Sequence, residues 1–494
     1  MNKIFLFIPI FLFVQEIYSQ EKDTMYLSLE ECVTMAKKQS ASLTTAHDAL
    51  KNKKLSYRLS QLDILPQISL TANAPGFTRS IISVVQPDGK TMFVSQNQMS
   101  SSLNFSVTQK VPFTGGDLSL SSSVSRVDVL ETEKTLYNFS PIVLSLNQPL
   151  FKTNIVRWEQ KAADIEYQIA EKEFSEAVEK IAVDITAQFF ESYNAQLDIE
   201  NAQLNLALQD TLYKISQGRY RIGKIDENDV LQSEIALFNA KTQNISVQLQ
   251  YERSLTKFKM ELKIPSEKKI IFIPPQNIPL FNVDAQQALQ EAKMNRSDVL
   301  KHQLQQLKNE QAITEAKLSN TFSANLQVSV GFNQRAFEVS EKTHPNIMDN
   351  QQFSIGVQIP LLQWGKRNII IEQTLIEEKK LQETIEKEKK NFEEEITSHI
   401  LQLEQSQQKI IFAQKTDTLS QRRFTVAKAR YFIGKIDFNQ LLIIQREKDE
   451  AQRNYQKILL EYWKEYYQLR YLTLYDFEKN ESIHRTTDFL DNIK

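Results

Sequence analysis

The stretch Arg219-Tyr220-Arg221-Ile222-Gly223-Lys224-Ile225-Asp226 returns almost unchanged 211 positions later, as Arg430-Tyr431-Phe432-Ile433-Gly434-Lys435-Ile436-Asp437. Each copy interrupts a long helical pattern with a single glycine, and helix formers resume from Asn228 or Asn439, which is the form of a tight turn between two helices. Pro149-Leu150-Phe151 and Pro360-Leu361-Leu362 are also 211 apart, so the distance from junction to turn is kept with no net insertion. The chain is therefore an internal duplication, with each turn the tip of a helical hairpin.

Only 10 Gly and 13 Pro occur in 494 residues, and so few helix breakers imply very long helices. The net charge of −2 gives no basic face for a nucleic-acid partner. Residues 1–19 read as a signal peptide: Lys3 supplies the charge, Ile4 to Val14 the apolar core and Ser19 the small residue at the cut, with Gln20 the expected new N-terminus. No later stretch offers about 18 uninterrupted apolar residues, so a membrane-spanning helix is not expected. The only cysteine, Cys32, is expected to be a small buried apolar residue.

The first repeat is expected over 20–282 and the second over 283–475. In the first, the helical period gives a helix over 28–64, opened by Ser28 and Glu31 as a capping box. Period-two runs within 66–151 give strands: Leu103, Phe105 and Val107 alternate with Asn104, Ser106 and Thr108, and Leu144 and Leu146 with Ser145 and Asn147. A long helix over 154–217, roughly 95 Å by helical rise, leads to a tip at 218–226 and a return helix over 227–262. A proline-rich segment, 263–282, follows. The second repeat is expected to hold a helix over 283–318, strands within 324–360, a long helix over 366–432, a tip at 433–437 and a return helix over 438–474. The polar tail 476–494 lacks periodicity and is expected to be loosely held.

Alternation alone leaves the strands open to two settings, a soluble sandwich or a membrane barrel whose small polar face lines a lumen. The bilayer supplies a further constraint. Four to six strands cannot close around a wide lumen, and open edges are not tolerated in lipid, so membrane strands here require several chains to share one barrel. Helical arms of that length likewise need neighbours along their whole extent. A ring of protomers forming a β-barrel continued by a helical tube meets both demands.

The order of weak motifs along nearly the whole chain resembles the TolC-like outer-membrane efflux family. They are Leu27-Ser28-Leu29-Glu30-Glu31, Leu65-Pro66-Gln67, Asn147-Gln148-Pro149-Leu150-Phe151, and Gly223 followed by Asp229-Val230-Leu231-Gln232-Ser233-Glu234. The resemblance implies a mainly α fold with membrane β: a duplicated helix-strand-strand-helix repeat, in which long antiparallel hairpins form a coiled-coil α-barrel continued by a shared trimeric β-barrel. It implies a homotrimeric export channel in the outer membrane, with transmembrane β-strands against lipid. Its tips would dock on a periplasmic adaptor, or membrane fusion protein, that links it to an inner-membrane pump or ABC exporter. Transport would be passive efflux in a tripartite system, or type I secretion of polypeptides. A periplasmic adaptor or coiled-coil scaffold protein is the alternative, though such a protein normally carries one hairpin rather than two.

The resemblance assigns adaptor docking to the tips: Arg219, Tyr220, Ile222, Gly223, Lys224, Arg430, Tyr431, Ile433, Gly434 and Lys435. Candidate gate positions just beyond them are Asp229, Gln232, Gln440 and Ile443, where the second pair lacks the carboxylates of the best-known member. Pro149 and Pro360 mark the strand-to-helix junctions, where proline ends a ladder and suits a first helical turn. Trp364 beside the second junction belongs either to an interfacial aromatic girdle or to packing at the strand end. The family usually has two strands per repeat, yet Pro66 to Pro149 spans 47 residues more than Ala324 to Pro360. The surplus, roughly Asn97 to Val129, reads as an extra hairpin that joins the barrel or extends outside it. No catalytic, cofactor-binding or metal site is expected: there is no phosphate-cradling loop or nucleophile elbow, and His47, His302, His344, His399 and His484 lack ligand spacing and read mostly as surface residues.

Overall fold

The computed structural model describes residues 24–319, 321–337 and 347–483. The expected signal peptide, His344, His484 and most of the tail lie outside them. In chain order the elements are β1 (Thr24–Ser28), α1 (Leu29–Gln39), α2 (Ala41–Leu62), β2 (Gln67–Val85), β3 (Thr91–Val111), β4 (Gly116–Val129), β5 (Lys134–Leu150), α3 (Ile155–Arg221) and α4 (Glu227–Glu261). There follow β6 (Lys269–Ile273), α5 (Ala285–Asn295), α6 (Asp298–Ser319), β7 (Ser323–Phe337), β8 (Ile347–Gln358), α7 (Lys366–Phe432), α8 (Phe438–Thr473), β9 (Tyr475–Asp476) and β10 (Glu481–Ser482).

The duplication is finer than the sequence shows. The helices α1 and α5 are both 11 residues, α2 and α6 both 22, α3 and α7 both 67, and the return helices α4 and α8 are 35 and 36. Single helices expected over 28–64 and 283–318 are thus each two. Ser40 breaks the first with an extended backbone (φ −62°, ψ 159°); its N–H still bonds Ala36, while its Oγ accepts from the Leu43 N–H at 2.9 Å and so caps α2. In the second repeat the break falls at Arg296-Ser297, with Ser297 fully buried. Helix α3 runs four residues past its expected end, through Gly218, because a glycine in open space is tolerated in a helix and only Gly223 takes a left-handed φ.

The chain divides into two units. One comprises described residues of 24–46, 176–288 and 397–483. Here Thr24–Ser28, a strand just ahead of the first helix, pairs in parallel with Lys269–Ile273 of the proline-rich segment. This pair packs Phe272 edge-on against Phe189 and Phe258, at centroid distances of 5.5 and 5.0 Å. Ser28 and Glu31 form the expected capping box, and Cys32 is fully buried, its thiol pushed up in pKa by that burial. The described start of the tail, 476–483, is held more firmly than its polarity suggested. Strands β9 and β10 pair, and Asp476, 2% exposed, accepts from Arg470 at 2.6 Å; Arg470 also lies 3.5 Å from Glu179, which binds Lys37 at 2.5 Å. Burial opposes the Arg470 charge, yet Glu179 and Asp476 outweigh it and hold the guanidinium above its ordinary pKa.

The other unit comprises described residues of 47–175 and 289–396. Its six-stranded antiparallel sheet has the order β2-β3-β4-β5-β7-β8. Pro149 still sits in a ladder rung opposite Asn325, and α3 begins only at Ile155; Pro360 likewise precedes α7 by six positions. Both prolines therefore close strands and neither occupies a first helical turn, because left-handed residues intervene: Phe151 (φ 60°) in one junction, Trp364 (φ 49°) and Gly365 (φ 79°) in the other. Trp364 is 86% exposed, so it does not pack at the strand end. The three described histidines are only partly exposed rather than free surface residues: His302 lies 3.0 Å from Glu388, and His399 bonds Glu465.

Candidate functional site

Both tips are built in the same way from the repeated residues. In the first, the Gly223 N–H bonds the Tyr220 carbonyl at 2.8 Å and the Lys224 N–H the Arg219 carbonyl at 2.9 Å, which is a Schellman end with glycine at φ 68°. Gly434 and Lys435 repeat those bonds to Tyr431 and Arg430 at 2.9 Å each, with φ 73°. Asp226 and Asp437 then cap the return helices, accepting from Asp229 N–H (3.0 Å) and Gln440 N–H (2.7 Å). The repeat Gly-Lys-Ile-Asp is thus a helix stop followed by a helix start. Gly434→Ala is expected to cost about 1 kcal/mol because a Cβ disfavours that φ, whereas Gly218→Ala, inside α3 and in open space, is expected to stabilise by about 0.5–1 kcal/mol. Equilibrium unfolding of the two variants checks the contrast.

The two tips are joined. The Arg219 guanidinium donates to the Tyr431 carbonyl at 3.0 Å and lies 5.0 Å over its ring. Tyr431, 2% exposed, packs in a cluster with Leu212, Ala427, Phe438 and Leu441. Of the ten expected docking residues, Tyr431 is therefore consumed by packing and Arg219 is engaged with it. Tyr220, Ile222, Gly223, Lys224, Arg430, Ile433, Gly434 and Lys435 stay exposed. Of the four gate candidates, Gln232 donates to Asn439 at 2.6 Å, linking the hairpins, while Gln440 and Ile443 line a groove between α7 and α8 with Arg423, Arg430 and Lys435. Asp229 sits in the first turn of α4. The four do not form one constellation.

Sequence reading missed the seam behind the tips. Helix α3 meets α8 through buried or half-buried amides: Gln445 donates to Asn205 at 2.6 Å, Gln209 to Gln445 at 3.4 Å and Asn201 to Gln452 at 3.2 Å. Burial pushes the pKa of Asp198 on α3 upward, with Arg453 opposing and Asp449 adding to the shift. With α4 packed on α3 through Ile199, Ala202 and Val247, and α7 on α8, the helices run α4-α3-α8-α7. Both outer helices carry exposed apolar residues at heptad spacing: Leu231, Phe238 and Ile245 on α4, and Phe412, Leu419 and Val426 on α7. The Asn and Gln spacing on α3 was visible in the sequence, but nothing there paired it with α8.

The sheet has two unlike faces. A row read straight across from Gln67 passes Thr108, Ser119, Ser145, Ser329 and Gln352. Polar side chains on this face bond each other, Ser69 with Ser106 at 2.8 Å and Asn325 with Asn147 at 2.8 Å. The adjoining row is Ile68, Val107, Leu120, Leu144 and Val330, ending at Gln351 on β8, and apart from half-buried Val107 its apolar members stay bare: Ile68 is 70% exposed, Leu144 49% and Val330 51%. Strands β2 and β8 are open edges. A soluble sandwich would bury that apolar face, and an unpaired edge in lipid is costly. The surplus residues form β3 and β4, both inside the sheet. Among the described residues no helix is long and apolar enough to cross a membrane, and no His, Cys, Asp and Glu group could hold a metal ion.

A family model described as outer membrane efflux protein matches residues 116–259 and 288–473. No curated protein sequence matches the chain. Solved structures with similar folds include the CmeC outer membrane channel of Campylobacter jejuni, at 14% identity and TM-score 0.66 over 94% of this chain and 88% of that one. The outer membrane protein VceC of Vibrio cholerae matches at 14% identity and TM-score 0.60, over 92% and 97%. The open-state MtrE outer membrane channel of Neisseria gonorrhoeae matches at 16% identity and TM-score 0.58, over 92% and 91%.

Proposed function

Since the chain belongs to the outer membrane efflux protein family, which makes it a transport protein rather than an enzyme, we propose that three copies close into one passive export duct. The observation that carries this reading is the six-stranded sheet, with a bare apolar face, a Ser/Thr/Asn/Gln face and two open edges. Pairing β2 of one copy with β8 of the next removes every edge, sets the apolar band against lipid and encloses the polar face. The helical arms favour the same closure, because the apolar heptads of α4 and α7 are left free at opposite ends of the four-helix order and seat against each other between copies. In this reading Trp364 lies in the interfacial aromatic girdle.

The paired tips are the docking surface for a periplasmic adaptor, which connects the duct to an inner-membrane pump or ABC exporter in a tripartite efflux or type I secretion system. Exposed Ile222 and Ile433 supply the apolar contacts and Lys224 and Lys435 the charges. Asp229, Gln232, Gln440 and Ile443 sit where the periplasmic mouth narrows.

Expression followed by membrane fractionation tests the duct. A heat-modifiable oligomer in the outer membrane that conducts ions in planar bilayers is expected, and recovery as a soluble periplasmic monomer would refute it. For docking, Ile222→Asp with Ile433→Asp is expected to abolish adaptor co-purification while leaving the oligomer intact. Retained co-purification would move docking elsewhere.

A further inference from the structure

The second repeat contributes two strands to the sheet and the first contributes four. Strand β2 runs in the same direction as β4 and β7, so removing β3 and β4 would set β2 beside β5, antiparallel as β7 is to β8. An insertion between β2 and β5 that keeps their directions must add strands in such pairs. The inserted pair is fully integrated. Its rungs run from Val111 opposite Gly116 out to Gln98 opposite Val129, and both face rows pass through it unbroken. Its inner turn is fastened to the strand-to-helix junction, where Asn154 Nδ2 donates to the Pro112 carbonyl at 2.7 Å and Gln148 Nε2 to the Thr114 carbonyl at 3.0 Å.

We propose that the β3–β4 hairpin widens the outer-membrane pore: three copies close an 18-stranded barrel, instead of the 12 strands that two-strand repeats would give, and its bore admits bulkier hydrophilic cargo than 12 strands would. This rests on the three-copy duct above. The sheet already has the inclination of a closed barrel. The row from Gln67 reaches Gln352, but β8 continues to Gln358, so the inner rim shifts by six residues over five strand spacings. With a rise of about 3.3 Å and a spacing of about 4.8 Å, that is a tilt of about 40°, within the range of membrane barrels. At that tilt, 18 strands give a backbone diameter of about 36 Å, and 12 strands about 24 Å. After side chains, the wider bore admits bulkier solutes than the narrower one. Beyond the Lys110–Asp117 rung beside the inner turn, the wall is mostly Ser, Thr, Asn and Gln, so it selects by size more than by charge.

Native mass spectrometry and electron-microscopic cross-sections of the full-length oligomer in detergent test this directly. Three copies around one 18-stranded barrel are expected. Three copies around 12 strands with the hairpin outside, or two copies closing 12, would overturn the widening and leave the duct standing. Absence of any membrane oligomer would instead sink the duct reading itself. A second measurement uses intact cells carrying Ser145→Cys on the polar face, since Cys32 is buried. A maleimide polymer about 20 Å across should label this thiol from outside, and a variant lacking residues 91–129 should exclude it. Exclusion by the undeleted chain would count against the proposal even where the deletion fails to assemble.

Discussion

Replacing Arg470 with Met is expected to destabilise the unit that holds the C-terminal strands by about 3 kcal/mol, the low end of what breaking a buried ion pair costs. The guanidinium serves two carboxylates that are almost fully buried, Asp476 at 2.6 Å and Glu179 at 3.5 Å. Glu179 keeps Lys37 after the substitution, and Asp476 keeps the N–H groups of Glu478 and Lys479 at 3.1 and 3.2 Å, which is why the low end applies. Amide exchange in β9 and β10 should accelerate on the order of a hundredfold, since each 1.36 kcal/mol is a factor of ten. Pairing the change with Asp476→Asn should recover much of the loss, because the penalty comes from the orphaned charge rather than from the missing arginine. Unchanged exchange in Arg470→Met would mean that the strand pair is held by Tyr475 and its ring contacts instead.

That cluster also shows where the sequence was silent. Lys37, Glu179, Arg470 and Asp476 are spread over the chain, and each reads alone as a solvated charge on a helix or tail; only the fold brings them together. The helix breaks at Ser40 and Ser297 were hidden for a different reason. Neither uses glycine or proline, so periodicity ran through them, although equal serines 257 positions apart were a faint trace of a duplicated break. By contrast, the turn at each tip was legible in local sequence, although α3 runs four residues further than expected. Gly-Lys-Ile-Asp encodes a left-handed stop and an Asp cap entirely within eight residues, and no tertiary contact is needed to form either. What local chemistry could not announce was the asymmetry between copies. Tyr431 is buried against Leu212 and Arg219, while its counterpart Tyr220 is 46% exposed. The sheet lies between these cases: alternation gave its two faces, but strand order and edges decided what each face meets.

Leu144→Arg is expected to abolish assembly in the membrane, whereas Ser145→Arg, one residue along the same strand, is expected to assemble almost normally. The two side chains leave β5 on opposite faces. Leu144 stands between Leu120 and Val330 in the bare apolar row, Ser145 between Ser119 and Ser329 in the polar row. An arginine on a lipid-facing position near mid-membrane costs about 2–4 kcal/mol, and a threefold ring repeats the cost in every copy. On the polar face the same guanidinium meets water and hydroxyl groups, so its cost is that of an ordinary exposed substitution, within about 0.5 kcal/mol. Heat-modifiable oligomer recovered from the outer membrane is the readout. A soluble sandwich would give the same loss for Leu144→Arg but would leave no protein in the membrane even before substitution. A barrel with its faces reversed would invert the pair, with Ser145→Arg lost and Leu144→Arg kept. Only an apolar face turned to lipid predicts membrane assembly of the parent, failure at residue 144 and survival at residue 145.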